Sequence, residues 1–269
     1  MEQPDWAPEA IDIDRPSAAR IYDYALGGLH NFAVDREAAR EMFALMPDLP
    51  LLMQANRAFL RRAVQYLVRA GVRQFLDIGS GIPTVGNVHE TAQQLAPDTR
   101  VMYVDIDPVA AAHSRAILEG NKLTAVVQED LRRPEHILAH PDVRGLLDFS
   151  QPVALLLVAV MQFIPDEDDP PSIVARLRDA LAPGSYVVIS QPTNDSRTEE
   201  ANRVGDVVVP RLPTPFRYAT RASFERLFDG WELVDPGIVW VPEWHPDSPD
   251  TVDDHPERSV LYVGAGYKA

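Results

Sequence analysis

The sequence predicts an α/β fold in which a doubly wound, mainly parallel sheet follows a set of helices. Short β-rich runs recur about every 25 residues after Gly71, and helix-like segments separate the first three of them. Such alternation is typical of βαβ units. We therefore predict that residues 71–190 form the sheet. The runs are Arg73–Ile78, Arg100–Asp105, Thr124–Glu129, Val153–Val158 and Tyr186–Ser190, the last of them after the helical stretch Ser172–Leu181.

The two ends of the chain predict different structures. Residues 1–16 are polar and rich in proline, which indicates an arm, whereas apolar residues from Ser17 to about Ala70 recur at helical spacing. Near the other end, Glu232–Val241 and Arg258–Tyr267 are extended runs that predict an antiparallel pair at the sheet edge. We therefore expect an N-terminal arm and helical lid over residues 1–70 and a sheet domain over residues 71–269, together forming one structural unit.

The composition excludes several classes of protein. The chain has 269 residues, a formal net charge of −15 and no cysteine, which rules out disulfides, thiolate metal sites and a cysteine nucleophile. The negative balance argues against a nucleic-acid partner and favours a small-molecule ligand. The longest apolar runs are shorter than the roughly 18 to 20 residues of a membrane helix. Because the N-terminus lacks the features of a signal peptide, we expect a cytoplasmic protein.

A glycine turn follows the first predicted strand, in the segment Phe75-Leu-Asp-Ile-Gly-Ser-Gly-Ile-Pro-Thr84. The strand carries Asp77 near its end, and Gly79 and Gly81 would let a ligand approach the main chain closely. A helix beginning near Pro83 would then direct its N-terminus at negative groups of that ligand. A G-x-G turn can also serve merely to pack a helix on a strand, so it is weak evidence alone.

Acidic residues end the next two predicted strands. Asp105 follows Gly81 by 24 residues, and Asp130 follows Asp105 by 25. In open α/β sheets, ligands bind at the carboxyl ends of the strands, where such an acid accepts hydrogen bonds from ribose hydroxyls. The alternative interpretation is helix capping, which we favour for Asp107. Asp105 and Asp130 together predict a nucleoside site.

These segments resemble a known family. L-D-I-G-S-G, V-D-I-D-P and E-D-L are similar to motifs I, II and III of class I S-adenosylmethionine-dependent methyltransferases. Arg15–Phe32, Pro83–His89 and Phe163–Pro170 resemble a narrower, largely actinobacterial family that was long catalogued as a domain of unknown function. The Y-D-Y-x-L-G-G segment within the first of these is specific to that family.

The resemblance implies a Rossmann-like, seven-stranded methyltransferase sheet and S-adenosyl-L-methionine as the cofactor. It implies that Gly79 and Gly81 pass beneath the methionine moiety, that Asp105 binds the ribose, and that Asp130 and the Leu131 backbone face the adenine. The acids at the strand ends would suit a cofactor that carries a sulfonium and an ammonium. The predicted cofactor-binding residues are Asp77, Gly79, Ser80, Gly81, Asp105, Ile106, Asp130, Leu131, Tyr22 and Asn31.

Two positions depart from the resemblance. Pro83 stands where the general superfamily has a third glycine, although the narrower family shares the proline. Gln162 stands after the fourth strand where relatives often carry histidine. An amide does not titrate at useful pH, so Gln162 cannot act as a base.

The N-terminal helices break at Gly27-Gly28, where a lid over a cofactor could form. Tyr22 and Asn31 are its predicted contacts, and the alternative is that the tyrosines are core residues and the glycines only a turn. The candidates for contact with the substrate are His30, Gln162 and Trp244. Asn56 and Arg57 are weaker candidates for contact with a ligand, because an isolated Asn-Arg pair on a long helix usually belongs to a solvated face. No catalytic residue and no metal site is predicted; the pair His136 and His140 lacks a third ligand.

Three functions follow from these observations. The first is direct, in-line methyl transfer from S-adenosylmethionine to a small-molecule acceptor. The second is a non-catalytic protein that binds S-adenosylmethionine or S-adenosylhomocysteine, as Gln162 and the lack of an evident base allow. The third, an NAD-dependent oxidoreductase, is disfavoured because Thr84 stands where its fingerprint requires glycine or alanine.

Overall fold

The computed structural model describes residues 13–82, 86–212, 214–248, 250, 252 and 254–269. Three helices precede the sheet: α1 (Ala18–Ala25), α2 (Ala33–Leu45) and α3 (Leu49–Arg69). They confirm the helical pattern predicted between Ser17 and Ala70. Residues 1–12 of the predicted arm lie outside the described residues.

The sheet contains five parallel strands and an antiparallel edge. The strand order is β3-β2-β1-β4-β5-β8-β6, and β7 also pairs with β8. The strands are β1 (Gln74–Ile78), β2 (Arg100–Asp105), β3 (Thr124–Gln128), β4 (Ala154–Val158), β5 (Tyr186–Pro192), β6 (Glu232–Leu233), β7 (Val239–Trp240) and β8 (Leu261–Tyr267). The remaining helices are α4 (Val88–Leu95), α5 (Pro108–Ile117), α6 (Pro134–Ala139), α7 (Pro141–Leu146), α8 (Pro170–Asp179), α9 (Thr198–Val208) and α10 (Arg221–Glu225).

The topology determines where a ligand can bind. The chain passes outward from β1 through β2 to β3 and then returns to β4, on the other side of β1. The strand order therefore reverses between β1 and β4, and the connections leaving their carboxyl ends diverge. Ligands of open α/β sheets bind in the crevice that this reversal creates.

Two predicted boundaries were wrong. The helix expected near Pro83 begins at Val88, where the side chain of Glu90 accepts a hydrogen bond from the Asn87 N–H at 3.0 Å and so fixes the first turn. Residues 83–85 lie outside the described residues. The first strand of the predicted terminal pair is divided into β6 and β7 by a turn in which Gly237 has φ +84°. Both parts pair with β8, so the predicted antiparallel edge is confirmed.

Hydrophobic residues cover both faces of the sheet. On one face, Phe59 and Leu67 of α3 pack against Phe75 and Leu156 of the sheet, and all four side chains are fully buried. The other face carries Leu76 and Leu155 and packs against helices that include α8. None of the described helices combines the length and the apolar character needed to cross a membrane.

Candidate functional site

The glycine turn after β1 is bonded to the neighbouring strand. The N–H groups of Gly79 and Ser80 both donate to the carbonyl oxygen of Val104, at 2.8 and 3.2 Å. The N–H of Gly81 donates to Oδ2 of Asp105 at 2.7 Å. These bonds hold the turn over the carboxyl end of β2, at the predicted position of the nucleoside.

The two glycines of this turn have different surroundings. Both have positive φ, +73° at Gly79 and +66° at Gly81, which disfavours any residue with a Cβ. A Cβ at Gly79 would overlap the side chain of Val160, whereas one at Gly81 would meet no atom of the described residues within 4 Å. Between them, the hydroxyl oxygen of Ser80 is buried with no partner in the described chain. Gly81 thus borders space free of described atoms, which a ligand could fill.

Asp105, at the end of β2, holds this turn in place through hydrogen bonds from main-chain N–H groups. Its Oδ1 accepts the Asp107 N–H at 2.8 Å and Oδ2 accepts that of Gly81, and the Ile106 N–H also acts on the carboxylate, which keeps acceptor capacity for a ligand. Burial raises the pKa of Asp105 to about 6, against the lowering effect of these backbone hydrogen bonds. Asp107 instead caps α5 by accepting the Val109 N–H at 2.8 Å, which confirms its predicted role.

Asp77 and Arg57 form an incompletely paired charge system beside the turn. Asp77 is 4% exposed, and burial raises its pKa to about 7, although the charge of Arg57 opposes the shift. Arg57 extends from α3, and its buried Nε has no partner in the described part of the chain. An acid that is costly to ionise and a guanidinium with an unused donor suit a ligand that carries both an ammonium and a carboxylate.

The carboxyl end of β3 is less available to a ligand than that of β2. Burial tends to raise the pKa of Asp130, but the hydrogen bonds and charge of Arg132 outweigh it and leave the pKa lowered. Arg132 binds the carboxylate at 2.6 Å. Leu131 beside it is buried, whereas Ile106, after β2, is 48% exposed. Ile106 therefore offers an apolar surface at this edge, and Asp130 already has a cationic partner.

The break between α1 and α2 is a turn built around Asp23. Its Oδ2 accepts the His30 N–H at 2.9 Å and the side-chain amide of Asn31 at 2.8 Å. The Asp23 carboxylate occupies the place where a Cβ of Gly28 would lie, so this position requires glycine. Asn31 also donates to the Gly28 carbonyl at 2.9 Å, so both its side-chain N–H groups are used. Asn31 holds the turn, and its geometry does not support the predicted contact with a cofactor.

Two contacts attach this turn and α1 to α5. The hydroxyl of Ser17 donates to Oδ2 of Asp107 at 2.5 Å, and the ring of His30 lies 3.9 Å from that of His113. Burial, with the charge of His30, lowers the pKa of His113 to about 4. His30 thus packs on α5 and does not line the cavity described next.

A cavity of about 150 Å³ lies on the other side of the reversal point, over β4 and β5. Its wall is formed by α1, α2, α3 and α9 together with the segment after β4, and most of its lining is aliphatic, aromatic or methionine side chains. The principal members are Ile21, Met42, Met46, Met53, Phe163 and Phe216.

A short hydrogen-bond chain crosses one wall of this cavity. The Ser190 hydroxyl donates to Oδ1 of Asn56 at 2.7 Å, and the Asn56 amide donates to the Tyr22 hydroxyl at 3.1 Å. That hydroxyl donates in turn to the Met53 carbonyl at 3.0 Å. Asn56 is 3% exposed, so its assignment to a solvated face was wrong. Tyr22 lies at the cavity, and the structure gives its hydroxyl partners within the protein.

Gln162 lies where the chain turns into this cavity after β4. Ala159 precedes it with φ +54°, a left-handed conformation that only strong local constraints impose on a residue with a Cβ. The Gln162 Nε2 donates to the Ala159 carbonyl at 2.7 Å, and its Oε1 is buried with no partner among the described residues.

The structure brings together most, but not all, of the predicted site. Trp244 is fully buried between Phe59 and Tyr66, at ring distances of 5.3 and 5.7 Å, so it belongs to the core and not to a substrate entrance. Of the three predicted substrate contacts, Gln162 alone lines the cavity. Sequence reasoning ranked Arg57 and Asn56 only as weaker candidates. Their signal was their position on α3, two and three residues before Phe59, where the buried residues of the helix begin with Asn56.

The buried hydroxyl of Ser80, the open space at Gly81 and the unused donor of Arg57 are observations that fit a nucleoside carrying an amino-acid chain. Fold and site together define a Rossmann-like methyltransferase. A family model described as S-adenosyl methyltransferase matches residues 4–269, and the chain belongs to this family. S-adenosylmethionine, the cofactor predicted from the motifs, is therefore confirmed.

Two solved structures are similar to this chain over nearly its whole length. A DUF574 family protein from Streptomyces avermitilis is 43% identical, with a TM-score of 0.91 over 96% of this chain and 99% of its own. A protein from Thermobifida fusca, assigned as a candidate methyltransferase, is 40% identical, with a TM-score of 0.91 over 98% of this chain and 99% of its own. A search of curated proteins found no match.

Proposed function

We propose that this protein transfers a methyl group directly and in line from S-adenosylmethionine to a small-molecule acceptor. The observation that carries the proposal is the presence of two spaces at the carboxyl edge of the sheet. One is lined by the polar groups of the glycine turn and the strand ends, and the other is an apolar cavity. Asn56, which faces the cavity, is followed directly by Arg57, which acts on Asp77.

Each cofactor group has a protein partner in this proposal. The free lone pairs of Asp105 would accept the ribose hydroxyls, and exposed Ile106 would pack on the adenine beside Leu131. Arg57 would bind the carboxylate of the methionine moiety, and Asp77 its ammonium. The donors of Arg57 and the acceptors of Asp77 match these charges, and charge-assisted hydrogen bonds are the stronger kind.

When bound, S-adenosylmethionine supplies a methyl carbon that bonds to an acceptor lone pair as the carbon–sulfur bond breaks and its electron pair stays on sulfur. The protein's part is to align the acceptor and exclude water. The apolar side chains around the cavity keep water out, and the N-terminal helices, attached to α5 through Ser17, would serve as the lid.

The described cavity wall contains no side chain suited to removing a proton at neutral pH. Tyr218 has its pKa raised to about 12, by burial and by the charge of Asp206. Burial also raises the pKa of Tyr22, against the charge of Arg57 and the hydrogen bond from Asn56. The acceptor must then be nucleophilic in the form in which it binds.

Calorimetric titration tests the cofactor part of the proposal. We expect S-adenosylhomocysteine to bind the wild-type protein and NAD not to bind. Asp105→Ala should weaken the binding of S-adenosylhomocysteine on the order of 100-fold, because it removes the ribose acceptor and loosens the turn at Gly81. Equal affinity in both proteins would overturn the ribose assignment. Product formation with any compound of an acceptor panel would remove the alternative of a non-catalytic binding protein.

A further inference from the structure

Among the described side chains that line the cavity over β4 and β5, one buried polar atom has no hydrogen-bond partner. None of the described residues that line it has a charged side chain. Asn56 and Tyr22 are bonded to one another and to Ser190 and Met53, and the Tyr218 hydroxyl donates to a main-chain carbonyl at 2.6 Å. Among the polar side-chain atoms of the described lining, Oε1 of Gln162 is left without a partner.

The orientation of the Gln162 amide follows from its neighbour. One end of the amide lies 2.7 Å from the carbonyl oxygen of Ala159, which can only accept a hydrogen bond, so that end is the nitrogen. The other end is therefore the oxygen, an acceptor. Leaving a buried acceptor unpaired is costly, and a ligand that donates to it recovers that cost.

The size of the cavity limits what can occupy it. A volume of about 150 Å³ holds one benzene-sized ring. Met42, Met46 and Met53 line it, and their unbranched, flexible side chains adapt to small changes of shape. A charged ligand would lose its hydration without gaining a counter-ion from the described wall.

We propose that the methyl acceptor is an uncharged, ring-sized, largely apolar molecule that bears one hydrogen-bond donor, an O–H or N–H, held by Oε1 of Gln162. This inference rests on the proposed function, since it names the substrate class of the same site. Gln162 acts here by positioning: it selects and orients the donor group at the end of the cavity that adjoins the carboxyl end of β4.

Binding of three matched aromatic probes tests this inference. Phenol, toluene and benzoate are titrated into the full-length protein saturated with S-adenosylhomocysteine, and their dissociation constants are measured by ligand-observed NMR. Phenol should bind on the order of 10-fold more tightly than toluene, because toluene leaves Gln162 unpaired. Benzoate should bind more weakly than either.

Two variants and a matched control separate the parts of the inference. Gln162→Leu keeps the volume of the side chain but removes the acceptor, so the preference for phenol over toluene should fall to about one. Val204→Phe fills the cavity from α9 and should abolish the binding of both probes. Val207→Phe on the same helix is the matched control, because Val207 is 40% exposed and does not line the cavity.

The outcomes distinguish this inference from the proposed function. Binding of S-adenosylhomocysteine to each protein is measured in parallel, and its failure would overturn the proposed function, while the phenol-to-toluene ratio is still read in the ligand-free protein. Equal binding of phenol and toluene, tighter binding of benzoate, or no binding of any probe would overturn the inference. So would a phenol preference that survives Gln162→Leu.

Discussion

The two halves of the carboxyl edge of the sheet differ in how many buried polar groups they contain and in how completely those groups are paired. Over β1 and β2, buried acids, a guanidinium and main-chain N–H groups crowd together, and Asp77 and Asp105 have pKa values raised by burial to about 7 and about 6. Over β4 and β5, the described wall is apolar and its polar atoms are paired within the protein, apart from Oε1 of Gln162.

This difference suits the two halves of the edge to different roles, one in binding the cofactor and the other in binding the acceptor. In the half over β1 and β2, buried charges are poorly paired, which costs free energy. A ligand of complementary charge would recover that cost on binding. The half over β4 and β5 provides an apolar cavity that excludes water, and it offers a ligand one hydrogen-bond acceptor. Substitutions in the first half should act on cofactor affinity, and those in the second on the choice of acceptor.

Replacing each glycine of the turn by alanine should have the largest and most contrasting effects. Gly81→Ala brings its Cβ within 4 Å of no described atom, so its cost to folding is the positive φ alone and the protein should still fold, yet S-adenosylhomocysteine should bind on the order of 100-fold more weakly because the Cβ occupies its place. Gly79→Ala overlaps Val160 and should lower the melting temperature more than Gly81→Ala does. Calorimetry and thermal melts check the pair. Unchanged affinity in Gly81→Ala would place the cofactor elsewhere.

Arg57→Met tests the proposed contact with the carboxylate. S-adenosylhomocysteine should bind about 10- to 50-fold more weakly, whereas 5′-methylthioadenosine, which lacks the amino-acid group, should bind as in the wild type. Arg61→Met is the matched control, because Arg61 lies one turn further along α3 and pairs at the surface with Asp247 at 2.6 Å. Equal weakening of both ligands would show that Arg57 supports the pocket as a whole.

Asp77→Asn tests whether the cofactor half is destabilised by its own charge. The carboxyl has an ordinary pKa of 3.8 and a pKa of about 7 in the folded protein, so its contribution to stability is full below pH 4 and is lost as the pH rises through 7. Relative to the wild type, the variant should gain about 3 kcal/mol of stability between pH 5 and pH 8, several degrees in melting temperature.

Thermal melts of both Asp77 proteins between pH 5 and 8.5 provide the measurement. Other groups titrate in both proteins, so the difference isolates Asp77. Saturating S-adenosylmethionine should reverse the order at pH 8, because the cofactor's ammonium stabilises the ionised carboxylate of the wild type. A difference that does not depend on pH would contradict the assignment.

Tyr22→Phe should have the smallest effect. Its hydroxyl bonds to Asn56 and to the Met53 carbonyl, so its loss should lower stability by about 1 kcal/mol and leave the affinity for S-adenosylhomocysteine within about twofold. Calorimetry and a thermal melt measure both effects. An affinity tenfold weaker would return Tyr22 to the cofactor site, as the sequence predicted.

Local sequence patterns were enough to predict much of the fold and one half of the candidate site. The spacing of the β-rich runs predicted the five parallel strands, and the residues at their ends predicted the turn at Gly79 and the acids at 77 and 105, because the carboxyl ends of parallel strands meet at one edge. The start of α4 was misplaced, since Pro83 is compatible with a first turn but the bond between Asn87 and Glu90 determines it.

The sequence by itself determined the class of fold, the cofactor and the residues at the carboxyl ends of the strands, because these depend on periodicity and on short contiguous motifs. The tertiary structure decided what depends on the packing of distant segments. It placed Asn56 and Arg57 of α3 against the sheet, buried Trp244 in the core and occupied Asn31 with Asp23. It also left Oε1 of Gln162, a residue of the cavity wall, without a partner among the described residues, because that wall combines the N-terminal helices with α9 and the segment after β4.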